Sequence, residues 1–194
     1  MKKVKLNLKQ KLKNALVKAE LVKQEQKSSL PVTEECKASN GLSALQEKMH
    51  KKLSGAQFRM INERLYTSNS RDAVKLFNTQ PDLFDIYHQG FQSQVVEWPV
   101  NPVDVIIQEL ESKSPMTVVA DMGCGEAKLA SRLHRLMTVH SFDLVAANEF
   151  ITAADIAHVH LKNKSCDVVV FCLSLMGTNL DDFIAEAYRI LKVG

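Results

Sequence analysis

Two glycines and three acids are the residues of this sequence whose spacing could do chemistry. Asp121-Met122-Gly123-Cys124-Gly125 follows the β-branched run Thr117-Val118-Val119-Ala120. Glycine adopts positive φ and lets a backbone approach a ligand closely, and a helix starting just beyond would offer free N–H groups to an anion. Asp143 ends a second such run 22 residues after Asp121. An acid at that distance in a nucleotide-binding unit can accept both hydroxyls of a ribose. Asp155 lies behind a third run, where it could accept from an adenine amino group, and Ile156 could pack on the ring and offer its backbone N–H. The pattern lacks the third glycine of a dinucleotide site and the Gly-Lys-Ser/Thr of a P-loop. A nucleoside ligand fits it better than a nicotinamide dinucleotide or a bare triphosphate.

Such residues need a parallel sheet to hold them, because ligands of open α/β sheets sit beyond the carboxyl ends of the strands. Four runs predict strands: Thr117–Asp121, Thr138–Phe142 ending at Asp143, Phe150–Thr152, and Asp167–Cys172. Between and after them, Ala127–Leu136 and Leu180–Leu191 predict helices, the second with Phe183, Ile184, Ala187 and Leu191 on one side. Alternation of this kind implies a doubly wound α/β fold. From Leu42 to Glu111 the periodicity is helical instead. Ser43 caps a helix to about Lys52, with Glu47 close to the capping-box position, and a second segment carries Phe58, Ile61 and Leu65. Shorter helices follow over Arg71–Phe77, from Pro81, and from Pro102 with Val103, Ile106, Ile107 and Leu110 as its apolar stripe. Three parts result: a basic tail and linker over 1–41, a helical subdomain over 42–113, and the sheet domain over 114–194.

The charge is unevenly placed. Residues 1–53 hold 13 Lys, no Arg and five Glu, a balance of +8, whereas the remainder holds 12 basic and 17 acidic residues, a balance of −5. A Lys-rich tail on an acidic body suits nucleic-acid binding or a nuclear address. The first 27 residues could also form a lone amphipathic helix with Leu8, Leu12, Ala15, Ala19 and Val22 on one face. An apolar fraction of 45% suffices for a core and excludes global disorder. No apolar run nears the roughly 20 residues of a membrane span. Cys36, Cys124, Cys166 and Cys172 form no CxxC pair, which argues against a zinc site and a disulfide framework and fits a reducing compartment. His158 and His160 have no partner that suggests a metal.

Val118–Ala130 (VVADMGCGEAKLA) resembles the first motif of class I S-adenosylmethionine-dependent methyltransferases. Phe171–Phe183 (FCLSLMGTNLDDF), Tyr87–Pro102 (YHQGFQSQVVEWPVNP) and Gly55–Tyr66 (GAQFRMINERLY) are more specific, and together they resemble the nucleomethylin family, also called ribosomal RNA-processing protein eight. The likeness covers about Leu45 to Gly194. It implies a Rossmann-like fold, S-adenosyl-L-methionine as cofactor, N1-methylation of an adenosine in large-subunit ribosomal RNA, and a nucleolar place in rRNA processing. It further implies cofactor contacts from His88, Gly123, Asp143, Asp155, Ile156 and Cys172, with His88 closing a lid over the methionine end and Cys172 acting chiefly through its backbone. Some members are linked to silencing of ribosomal DNA chromatin, so a non-catalytic cofactor-binding module is the alternative.

An adenine N1 already carries a lone pair, so its methylation needs exposure and alignment of the base more than a general base. The sequence singles out no catalytic base. Cys172-Leu173-Ser174-Leu175 stands where many amino-group methyltransferases carry an Asn-Pro-Pro-Tyr type signature, which favours a ring nitrogen as target. The family continues into further strands where this sequence reads ILKVG. The resulting expectation is a C-terminally truncated domain with its fourth strand at an edge, binding the cofactor weakly and methylating poorly or not at all.

Overall fold

The computed structural model describes residues 43–193; the Lys-rich tail and the lone helix expected there lie outside the described residues. Ten elements follow in order: α1 (Ala44–Thr67), α2 (Ser70–Thr79), α3 (Asp82–Val95), α4 (Pro102–Glu111), β1 (Val118–Met122), α5 (Lys128–Leu133), β2 (Thr138–Asp143), β3 (Ile151–Ala153), β4 (Val168–Val170) and α6 (Leu180–Ile190). The four strands pair in parallel in the order β3-β2-β1-β4. The order runs outward from β1 in both directions, so a crevice opens above β1 at the carboxyl edge of the sheet.

Side-chain alternation along β1 divides the core. Ala120 and Met122 face a cluster with Phe142, Ile156, Phe183 and Ile190, closed by α6. Val119 faces the opposite cluster with Ile107, Leu110, Leu129 and Leu133, from α4 and α5. Helices thus cover both faces, as a buried parallel sheet requires. A third cluster of Ile61, Leu65, Ala73, Phe77 and Phe84 joins α1, α2 and α3, and Leu144, Val145 and Met176 from the strand-end loops pack against it. That contact seats the helical region on the carboxyl edge, over the crevice.

Several boundaries differ from the sequence reading for identifiable reasons. The two segments expected between Ser43 and Tyr66 are one helix, α1. No proline interrupts them, and Gly55 costs only about 1 kcal/mol inside a helix. Leu45, Met49 and Leu53 stay exposed, so only the second half of α1 packs, while the backbone continues unbroken. The capping box of Ser43 closes with Gln46, which occupies the third helical position, and not with Glu47. Helix α2 starts one residue early because Asn69 caps it, accepting from the Asp72 N–H at 2.9 Å. Helix α5 starts one residue late because Ala127 is left-handed, with φ of 56°, and it ends at Leu133, short of the expected Leu136.

Beyond α6 the chain returns beside the sheet. The Asp167 N–H donates inward to the Val118 carbonyl, and the neighbouring Cys166 pairs on the other side, its N–H donating to Ile190 and its carbonyl accepting from Lys192. Cys166 and Leu191 form a parallel bridge. β4 stands at the edge of the sheet, as expected, and residues 190–192 meet the chain only just before it, at Cys166. No helix among the described residues is long and apolar enough to cross a membrane.

Candidate nucleoside-binding site

A cavity of about 470 Å³ lies between the carboxyl ends of the strands and the helices α2 and α3. Its floor is the turn after β1. Gly123 and Gly125 adopt φ of 78° and 59°, and Gly123 and Cys124 both donate their N–H to the Phe142 carbonyl, at 2.8 and 3.0 Å. A Cβ on Gly123 would collide with the Cβ of Ser174, whose hydroxyl donates to the Met122 carbonyl. A Cβ on Gly125 would meet nothing nearer than the His88 ring, at 3.8 Å, so that backbone faces open cavity.

Asp143 sits at the end of β2 and is bound to the turn it faces. Its Oδ2 accepts from the Gly125 N–H at 2.7 Å and its Oδ1 from the Leu144 N–H at 2.8 Å, leaving a lone pair on each oxygen. Asp155, after β3, accepts from the Ala157 N–H at 2.9 Å and from the Ser70 hydroxyl at 2.8 Å. Ile156 is buried in the α6-side core and reaches the cavity wall; Cys172 and Leu173 line it after β4. Leu173 takes φ of 61°, an uncommon conformation for a residue with a side chain, at the turn where the chain leaves the sheet.

His88 projects from α3 into the same space. Its ring meets Phe84 edge-on at 4.2 Å and Tyr87 at 5.4 Å. Its Nε2 is buried without a hydrogen-bond partner among the described residues. Burial lowers its pKa, against the pull of Asp143, Glu126 and Asp85, so the ring is neutral at pH 7. An unpartnered buried nitrogen of this kind costs stability unless a ligand satisfies it. Helix α3 is also tied to the rim of the cavity, where Gln92 donates to Glu126 beside the glycine turn.

All six residues named from the sequence thus line one cavity. Sequence reasoning named Asp121 but assigned it no contact, and it missed Ser70, Asn179 and Ser174. The partners of Ser70 lie 85 and 109 residues away, and no local pattern signals such pairs. The one available hint was that Asn179 and Ser174 both fall in the specific block over 171–183.

Asp121 is 2% exposed, and burial, then the nearby Asp143, pushes its carboxyl up to about 7. An unfolded chain releases that proton near pH 4. Between about pH 4 and 7 the unfolded state therefore holds fewer protons than the native state, and stability declines as pH rises; above about 7 the loss is complete. Asp121→Asn is expected to match the wild type near pH 4 and to exceed it by roughly 2–4 kcal/mol at pH 8. Urea unfolding at pH 4, 6 and 8 measures this, and equal stability at pH 8 would show that the ion has a compensating partner.

A parallel sheet in the order β3-β2-β1-β4, with a glycine turn after β1 and acids at the end of β2 and after β3, defines a Rossmann-like domain. The chain belongs to the family described as "Hypothetical methyltransferase", which it matches over residues 44–194. It is 56% identical over 163 residues to the "25S rRNA (adenine(645)-N(1))-methyltransferase" of Schizosaccharomyces pombe, covering 79% of this chain and 51% of that protein. It is 56% identical to "Ribosomal RNA-processing protein 8" of Dictyostelium discoideum over 77% of this chain and 38% of that one. The 25S rRNA methyltransferase of Saccharomyces cerevisiae is 49% identical over 77% of this chain and 46% of its own length. The chain therefore spans about half or less of the length of these curated relatives.

Proposed function

We propose that this chain carries the cofactor site of an S-adenosyl-L-methionine-dependent methyltransferase that modifies N1 of an adenosine in large-subunit ribosomal RNA. The observation that carries the reading is a charge imbalance in the cavity. Asp121 is buried and Asp143 half-buried around the glycine turn, and desolvation raises the pKa of each. Among the described residues lining the cavity, Lys128 is the basic side chain besides the neutral His88, and Lys128 is paired with Asp104 at 2.7 Å. Acids lining a cavity whose one lysine among the described residues is already paired suit a ligand that brings positive charge. S-adenosyl-L-methionine supplies a sulfonium-bound electrophilic methyl group together with an ammonium group. The orphaned Nε2 of His88 and the open backbone of Gly125 fit such a group as well.

In this reading Asp143 accepts from the ribose diol, Asp155 from the purine amino group, and Ile156 packs on the ring. Gly123 keeps the turn low, Cys172 borders the site through its backbone, and His88 faces the amino-acid end. Residues 1–41 form the basic tail, 42–113 the helical part that covers the cavity, and 114–194 the nucleoside-binding sheet. The acceptor base enters beside the aromatic wall of Phe84, Tyr87 and Phe91. Tyr87 is held there by Phe58, stacked at 5.5 Å, and by its hydroxyl on the Met176 sulfur at 3.5 Å. The chain's task is to align an extruded base and exclude water, since N1 needs no base to activate it. The names of the relatives support large-subunit rRNA as partner. An rRNA substrate and the Lys-rich residues 1–53 support a nuclear, nucleolar location. The alternative of a non-catalytic module in rDNA chromatin has no observation of its own.

The test is incubation with large-subunit rRNA and methyl-labelled cofactor, followed by nucleoside analysis, alongside calorimetric titration with S-adenosylhomocysteine. Cofactor binding is expected, and any label transferred is expected in 1-methyladenosine. Cofactor binding with label only in another nucleoside would reject the acceptor assignment, and no binding at all would reject the reading of the site.

A further inference from the structure

The residue that faces the purine in the proposed function is itself held by two residues from distant elements. Ser70, the first residue of α2, is 7% exposed and donates its hydroxyl to Asp155 Oδ2 at 2.8 Å. Asn179 precedes α6 in the capping position but makes no capping bond with its side chain. Its amide is turned across to α2 instead. Asn179 Oδ1 accepts from the Ser70 backbone N–H at 3.0 Å, and Nδ2 donates to the Ser70 hydroxyl at 3.0 Å and to Asp182 at 3.0 Å.

The directions of these bonds are determined. A backbone N–H only donates, so the oxygen of the Asn179 amide must face it, and the amide nitrogen must face the hydroxyl. A hydroxyl that accepts from an amide has one proton left, and here that proton points at Asp155. The result is a one-way chain from Asn179 through Ser70 to the carboxylate. With the Ala157 N–H on Oδ1, each oxygen of Asp155 has one fixed donor and one lone pair free. The plane of the carboxylate is thereby set at the cavity wall. The same junction is closed by the Thr178 N–H on the Ser68 carbonyl at 3.0 Å, and Gly177, with φ of 117°, lets the two backbones approach.

We propose that Ser70 and Asn179 are positioning residues that set the specificity of the site for an amino-bearing purine by orienting Asp155. The inference rests on the assignment of Asp155 to the purine amino group. A site built to hydrogen-bond a ligand N–H discriminates strongly against the analogue that lacks it, but only while its acceptor is held in place.

The experiment compares calorimetric affinities for S-adenosylhomocysteine and for its analogue with hydrogen in place of the 6-amino group. Wild-type protein is expected to prefer the amino ligand by about 10-fold or more, one hydrogen bond to a charged acceptor. Ser70→Ala and Asn179→Ala should each reduce that preference to roughly threefold or less, with little change for the deaminated ligand, and Ser70→Thr should restore it. Asn179→Ala keeps the Ser70 hydroxyl and carries the test should Ser70→Ala fail to fold. Equal weakening of both ligands, or an unchanged preference, would reduce Ser70 to a structural contact and overturn the proposal. Asp155→Ala separates the two levels: if it keeps the preference, the assignment of Asp155 falls and this inference with it. If it erases the preference while Ser70→Ala and Asn179→Ala do not, this inference alone falls.

Discussion

Gly123→Ala is expected to abolish detectable cofactor binding and to destabilise the fold by roughly 2–4 kcal/mol. Two costs combine at this position. A φ of 78° lies where a side chain is strained, at about 1–2 kcal/mol. The new methyl group would also collide with the Cβ of Ser174, which is too close to the backbone to swing aside. Relief requires the turn after β4 to move, and with it the bond from the Ser174 hydroxyl to Met122. Both strand-end turns that floor the cavity are displaced together. Gly125→Ala provides the contrast. Its φ of 59° carries the backbone strain, but its methyl group meets only the His88 ring at van der Waals distance. It should cost about 1 kcal/mol of stability while filling space that a ligand needs. Urea unfolding paired with titration of S-adenosylhomocysteine distinguishes the two. If Gly123→Ala bound normally, the turn would not be the floor of the site.

That contrast also marks what a sequence can convey about this molecule. The ends of β1 and β2 are legible because an acid or a glycine turn interrupts each run, whereas the run of β4 continues to Cys172 while pairing stops at Val170. Asp121 and Asp143 close their β-branched runs, and the glycines force the turn after Met122. The parallel order follows from the alternation of strands with helices. Contacts between segments distant in sequence are not legible. Nothing near Gly123 announces that Ser174, 51 residues on, stands against it, and nothing near Ser70 announces Asn179. His88 is an intermediate case. Its spacing from Phe84 places both on one face of a helix, but periodicity does not say that this face covers the glycine turn. Only the docking of α3 on the strand-end loops turns the imidazole toward Asp143. Helix α1 fails in the opposite sense: its exposed Leu45, Met49 and Leu53 imitate a separate amphipathic segment, while the backbone continues unbroken.

Asp143→Ala is expected to lower the affinity for S-adenosylhomocysteine by at least about 100-fold while changing stability far less. Two hydrogen bonds from ribose hydroxyls to a carboxylate contribute about 1.5 kcal/mol each at the low end, and together they reach that factor. The effect on the fold is a balance. Removing the carboxylate leaves the Gly125 and Leu144 N–H groups without their acceptor, which destabilises. Burial, however, is the largest influence on this group and raises its pKa against those same two bonds, so the ion is held at a cost that alanine relieves. The opposing terms leave a net loss of roughly 1–2 kcal/mol, small beside the change in binding. The two readouts therefore diverge if Asp143 serves the sugar. Should the unfolding midpoint collapse while the folded fraction binds as tightly as before, Asp143 would be only the staple of the glycine turn, and the donor's ribose would have to be held elsewhere.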